Sequence, residues 1–343
     1  MSEATTPAAE PSLPATLPRI TAGRAGLFIF ILIAAPCLLS LPWTLGQENY
    51  NYNSQRFESR QPPGMVTDTR ADPLPDGTQP KSFQLFGTDS LGRSVFIRCL
   101  LGGAVSLGVG MAAALIAVVI GVTWGAMSGL AGGRVDSAMM RTVDVLYGLP
   151  YILLVVLVKI ALQPPMKLAL LWLFGPSQGG SDGMSDATAE QISSMLTLLL
   201  AIGGVSWLTM ARVIRGQVLS LRAQPFIEAA RACGIKPLRI LRVHLLPNLV
   251  GPIVVYTTLT VPTAILQESF LSFLGIGVQP PLPSWGNLAA EGVKELHTLA
   301  LPGADFGWWL MLWPCLLLAL TLLSLNFLGD ALRNRLDPRR LKT

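Results

Sequence analysis

Charge is scarce in this 343-residue chain: Asp, Glu, Lys and Arg together make up 13% of it, about half the share of an ordinary soluble domain. With 51% apolar residues and a mean hydropathy of +0.52, the scarcity excludes a soluble globular protein and indicates a polytopic membrane protein. Histidine occurs twice, at His244 and His297, and the four cysteines, Cys37, Cys99, Cys233 and Cys315, form no C-x-x-C pair. A zinc site needs three or four ligands at coordinating distance, so neither a metal centre nor a disulfide framework is indicated. No G-x-x-x-x-G-K-[ST] is present, which excludes a P-loop cradle for ATP phosphates in this chain. Nor is there a nucleophile-and-base set, so the reading is a non-enzyme without a cofactor. The net charge of +5 does not indicate nucleic acid, because the basic residues sit beside apolar segments instead of forming one patch.

Taken in order, residues 1–25 are rich in Ala, Pro, Thr and Glu without apolar periodicity and are expected to be a disordered tail. Residues 26–46 form the first transmembrane helix. The only small-x-small triplet nearby, Thr44-Leu45-Gly46, is a weak cleavage site, so the span is read as retained. Residues 47–99 are polar and charge-balanced and are placed on the outer side. A five-helix core follows over 100–330, and residues 331–343 are a basic tail. In the second span, Ala113, Ala117, Gly121, Gly125 and Gly129 recur every four residues, lining one helix face where another backbone can approach closely. The third span is expected to open with Arg141 and Asp144, which pair three residues apart, and Lys159 is expected to snorkel to the outer interface. Within the insertion 163–193, the apolar piece 167–174 is too short to span a bilayer, which takes about 20 residues. An interfacial or re-entrant helix followed by a flexible loop is expected there.

The stretch 225–248, PFIEAARACGIKPLRILRVHLLPN, is a polar, basic interlude between two apolar segments. Pro225 suits the first position of a helix, Glu228 complements the dipole in its first turn, Ala229, Ala230 and Ala232 favour helix, and Gly234 stops it. Pro237 can open a second helix with Leu238, Leu241 and Leu245 on one face and Arg239 and Arg242 turned away, ended by Pro247. This second helix is expected to lie on the membrane surface.

The order Glu228-Ala229-Ala230, Gly234, His244 and Leu246-Pro247-Asn248 resembles the EAA loop of permease subunits of bacterial ABC importers, with His244 in the manner of the dipeptide, oligopeptide and nickel branch. Two further stretches carry the same resemblance. Gly87-Thr88-Asp89-Ser90-Leu91-Gly92-Arg93 looks like the G-T-D-x-x-G-R signature before the second span, although Ser94 and Gln84 depart from it; the motif also reads as a plain turn that ends a loop and caps a helix. Residues 267–286, with E-x-x-L-S-F-L-G, Q-P-P and S-W-G, resemble the end of span five in the peptide permeases. Glu268 within it is an ionisable group at membrane depth and a pathway candidate, or else a group bonded to backbone or to a neighbouring subunit.

The resemblance implies an all-α fold of six transmembrane helices of the type I ABC importer permease kind, a C-type subunit in the bacterial inner membrane with both termini cytoplasmic. It implies a cytoplasmic coupling loop over 215–248, in which Glu228, Ala229, Ala230, Arg231, Gly234, His244, Pro247 and Asn248 engage P-loop ATPase subunits that bind Mg-ATP. A second homologous permease subunit and an extracytoplasmic substrate-binding protein are the other implied partners. Charge counting agrees with this orientation: 16 of the 25 Lys and Arg residues fall in the segments assigned to the cytoplasm and eight in those assigned outside, as the positive-inside rule requires. The reading from another class is an ion- or proton-coupled secondary transporter. Such a protein is expected to carry paired ionisable residues near the midplane and repeated broken helices, which the sequence does not show.

Overall fold

The computed structural model describes residues 19–46, 51–69, 81–175, 184–297 and 307–336. Six helices among them are long and apolar enough to cross a bilayer, as many as the sequence indicates. The first span is α1 (Arg19–Leu39) followed, after a break at Ser40, by α2 (Leu41–Gly46). Residues 19–25, expected to belong to the disordered tail, are helical; a Cβ at Gly23 would lie 2.3 Å from that of Ala331 in the last helix, so this stretch has a packing partner. Residues 1–18 of that tail lie outside the described residues.

Two four-residue strands, β1 (Met65–Asp68) and β2 (Lys81–Gln84), pair antiparallel with Met65 opposite Gln84. Strands this short leave no periodic signal in the sequence, and none was expected. Next come α3 (Val95–Ala131), α4 (Gly133–Tyr147), α5 (Tyr151–Phe174) and α6 (Asp186–Arg222).

Three expectations are corrected here. Arg141 and Asp144 lie on the separate helix α4, and the third span opens at Tyr151, because Gly148 and Pro150 interrupt the helix. The two residues do not pair: Asp144 meets Arg212 of α6 at 2.8 Å, and that guanidinium lies 4.0 Å from the centre of the Tyr147 ring. Residues 167–174 are not a separate element but the last turns of α5, which runs on through Pro164 and Pro165. Lys167 ties this extension to α6 through Asp186 and Glu190, each at 3.0 Å. The loop expected to be flexible falls largely on 176–183, outside the described residues.

Beyond α6 come α7 (Pro225–Ala232), α8 (Pro237–Ile240), a single π-helical turn (Leu241–Leu245) and α9 (Leu246–Phe273). Pro247 does not end a helix. It lies in the first turn of α9, and the chain is helical from Pro237 to Phe273, so the expected surface helix is the foot of the fifth span. A proline lacks the N–H that an α-helix directs four residues back, and the wide turn just before it absorbs that gap. The turn also re-aims the side chains: Ile240, Leu241 and Leu245 are buried, whereas Leu238 is exposed. The chain closes with α10 (Trp285–His297) and α11 (Trp309–Leu336).

The centre of the bundle is the seam between α3 and α6, which run parallel: Gly203 sits against Ala113, Gly121 against Met210 and Gly129 against Val218. The small-residue row is therefore spent inside the subunit, where close backbone approach supplies the van der Waals contact that holds membrane helices together. A side chain at Gly121 would start 2.5 Å from the Met210 Cβ. α9 crosses α3 in the opposite direction, with Ile265 on Gly110, and α1 packs antiparallel on α11. Trp285, the first residue of α10, is fully buried and donates from Nε1 to the Cys99 carbonyl at 3.0 Å.

Candidate functional site

The segment resembling the EAA loop is built as a two-sided element. Pro225 occupies the first turn of α7 after Gln224, and the helix closes on a complete Schellman cap: the Gly234 N–H donates to the Arg231 carbonyl at 2.9 Å and that of Ile235 to Ala230 at 3.2 Å. The cap requires a left-handed residue, and Gly234 has φ +72°, a conformation glycine adopts at little cost. Ile227 and Ala230 point inward and share one apolar cluster with Ile214 and Val218 of α6 and with Leu241, Leu245 and Leu249 of the π turn and α9. Glu228, Ala229 and Arg231 face outward, and neither charged group has a partner among the described residues. Ala229, Ala232 and Gly234 are exposed, whereas Ala230 is buried as an anchor. His244 is half-buried in the π turn, and its carbonyl accepts from Asn248 Nδ2 at 2.6 Å. Pro247 and Asn248 are exposed one turn further on.

Where α3 turns into α4, Asp136 in the first turn of α4 joins the ends of α3, α4 and α6. It accepts from Arg215 Nε and Nη2, both at 2.6 Å, and from Ser128 Oγ. The Arg215 guanidinium, aided by the Ser128 hydroxyl, holds its carboxyl below the ordinary value.

At the opposite end of α3, the G-T-D-x-x-G-R stretch forms a closed knot. Asp89, 3% exposed, accepts from the N–H groups of Leu91 and Arg93 at 2.9 Å, pairs with Arg93 Nε at 2.6 Å and with Arg98 Nη1 at 2.8 Å. Arg98 forks onto Glu291 of α10 at 2.6 and 2.9 Å. Thr88 donates to the Glu58 carbonyl at 2.7 Å and accepts the Gln61 N–H at 2.8 Å. Gly87 and Gly92 have φ +80° and +72°, and a Cβ at Gly92 would strike the Phe57 carbonyl oxygen at 2.1 Å. The sequence reading missed Arg98 and Glu291, which are 193 positions apart; a lone arginine entering an apolar helix was the available signal. Trp309 is buried and donates from Nε1 to the Thr88 carbonyl at 3.1 Å. Trp313 stacks on Phe86.

Glu268 is wholly enclosed. Ser272 Oγ donates to it at 2.7 Å and Ser269 Oγ at 3.2 Å, and Ser272 in turn accepts the Val278 N–H at 3.0 Å. Local serines satisfy the carboxyl, and it reaches no cavity surface. An open cavity between α5, α6 and α9 measures about 570 Å³ and is lined instead by the neighbouring Gln267, with Tyr151 and Ser206. Among the described residues no group of three or more His, Cys, Asp or Glu side chains could hold a metal ion.

Residues 121–342 match the family described as "Binding-protein-dependent transport system inner membrane component". The dipeptide transport system permease protein DppC of Bacillus subtilis (strain 168) is 42% identical over 260 residues, covering 76% of this chain and 70% of that protein. The oligopeptide transport system permease protein OppC of Haemophilus influenzae is 39% identical over 259 residues, covering 76% and 71%. A solved inward-facing conformation of the MetNI methionine ABC transporter is similar over 71% of this chain and 96% of that one, at 18% identity and a TM-score of 0.48. With its family match covering most of the chain and six helices able to cross a bilayer, the chain belongs to the binding-protein-dependent transport system inner membrane components and is a multi-pass permease subunit of the inner membrane.

Proposed function

We propose that this chain lines one half of the translocation pathway of an ATP-driven importer of di- or oligopeptides, and that α7 is the part on which a separate P-loop ATPase acts. The observation that carries the reading is the two-sided build of α7: Ile227 and Ala230 fix it to the feet of α6 and α9, while Glu228, Ala229 and Arg231 stand open, the two charged groups without a partner among the described residues. A force on the open face is thereby delivered to two membrane helices. Glu228 and Arg231 supply polar contacts to the ATPase, Ala229 and Gly234 allow its close approach, and the turn held by His244, Pro247 and Asn248 passes the displacement into α9. Mg-ATP binds to the partner. The named relatives are dipeptide and oligopeptide permeases, which supports a peptide cargo.

The charge distribution supports placing α7 and both termini in the cytoplasm and the Asp89 knot outside. There an extracytoplasmic binding protein would dock, and a second homologous permease subunit would complete the pathway. Arg93, Asp89 and Thr88 then act as the fixed outer frame, and Glu268 as an internal brace beside the path.

The family places the secondary-transporter reading second. The separating experiment is uptake of labelled di- and tripeptides into cells carrying the whole transporter, with ATP depleted while the ion gradients are held constant. Uptake is expected to collapse; uptake that continues overturns the ATP-driven reading.

A further inference from the structure

The cavity between α5, α6 and α9 has no charged residue in its lining among the described residues. Its polar groups are hydroxyls and one carboxamide, that of Gln267. Oε1 of Gln267 accepts from the Tyr151 hydroxyl of α5 at 2.5 Å and lies 3.4 Å from the Ser206 hydroxyl of α6. Nε2 has no partner among the described residues. Donors on two other helices thus hold one end of the carboxamide, and the other end keeps two N–H groups to offer. Nearby, Thr260 and Thr263 donate their hydroxyl protons back to α9 carbonyls, at 2.8 and 2.7 Å, which leaves their oxygens as acceptors. Fixed neutral donors beside fixed neutral acceptors are the complement of a peptide group. They carry no charge that would hold a passing molecule too tightly to release.

We propose that Gln267, held by Tyr151 and Ser206, determines specificity by donating from Nε2 to a main-chain carbonyl of the peptide in transit. It reads the group all peptides share and ignores side chains. This rests on the peptide-importer reading, and the cavity is the part of the pathway this subunit contributes.

The test uses the whole transporter, purified through a tag on this chain and reconstituted in liposomes. Substrates are tri-alanine, tri-leucine, and tri-alanine with one thioamide, whose sulfur is a weaker acceptor. Gln267→Met is expected to lower the initial uptake of both normal peptides by the same factor, about tenfold, as loss of one hydrogen bond to substrate implies. Recovery of the complex should be unchanged, and the thioamide penalty seen with the wild type should shrink in the variant. Tyr151→Phe with Ser206→Ala, which frees the carboxamide without removing it, should raise the half-saturating peptide concentration about threefold. It serves as the second variant if Gln267→Met does not assemble. Wild-type uptake by both variants, loss confined to one peptide, or a thioamide penalty unaltered by Gln267→Met overturns the inference while leaving the peptide reading intact. Absence of any peptide uptake by the wild-type complex overturns the peptide reading and this inference with it.

Discussion

Lys159, midway along α5, donates from Nζ to the backbone carbonyls of Ile276 and Gly277, the latter at 3.1 Å, and the residue is only 5% exposed. The sequence reading sends this side chain outward to the interface. Instead it turns inward and closes the turn that follows α9, where the Ile276 carbonyl has no other donor among the described residues and that of Gly277 also accepts from Gln279 Nε2 at 3.2 Å. Lys159→Met keeps the stem but leaves the Ile276 carbonyl without its donor, so it should destabilise the detergent-solubilised protein by about 1–3 kcal/mol. Loss of melting temperature checks this; an unchanged melting temperature would show that water serves this carbonyl equally well.

The Asp89–Arg98 pair predicts strong coupling. Arg98 is 3% exposed and depends on Asp89 and Glu291 for its compensation. Removing one member of such a pair leaves a buried charge uncompensated and typically costs about 3–5 kcal/mol. Asp89→Asn should therefore be severe, and a double variant with Arg98→Met milder than the sum of the single changes. A double-mutant cycle on thermal stability measures the coupling; simple additivity would refute it.

Asp136 gives a pH prediction. Its carboxyl is held below the ordinary value, chiefly by Arg215, so the pair contributes fully at neutral pH. The contribution is lost only as the pH falls through that lowered value, when the native carboxylate protonates. Asp136→Asn should cost about 2 kcal/mol at pH 7, and the gap between variant and wild type should close in acid. Melting temperatures compared across acidic pH values check the sign.

The α3–α6 seam predicts a contrast between glycines. Gly121→Leu places a side chain into Met210 and should abolish folded protein in the membrane, whereas Gly204→Ala, with nothing within 4 Å of its new methyl, should be tolerated. Abundance in the membrane fraction, measured by immunoblot, reads both; equal abundance would contradict the seam.

What was legible in the sequence follows from what acts locally. Pro225 and Gly234 set the limits of α7 as read, because a first-turn proline and a left-handed cap depend only on neighbouring residues. The spans were legible because about 20 apolar residues suffice to mark one. The partners of charged groups were not. Asp144 was matched with Arg141, three positions away, yet it meets Arg212, 68 positions distant, since only the packing of α4 on α6 brings them together. The π turn before Pro247 was equally hidden, because it alters the helical period on which the choice of buried face depended. Glu268 drew attention as the ionisable group at depth, while the uncharged neighbour Gln267 is the one that reaches the cavity.

The central claim, that α7 receives the ATPase, is tested most directly by co-purification. The tagged chain is drawn from its native membrane as wild type and as Glu228→Arg, an exposed change that leaves the buried anchors Ile227 and Ala230 in place. The account predicts that a P-loop ATPase accompanies the wild type and is lost, with its ATP hydrolysis, from the variant, while the sister permease is retained by both. Equal recovery of the ATPase with both chains, or no ATPase with the wild type, would contradict it.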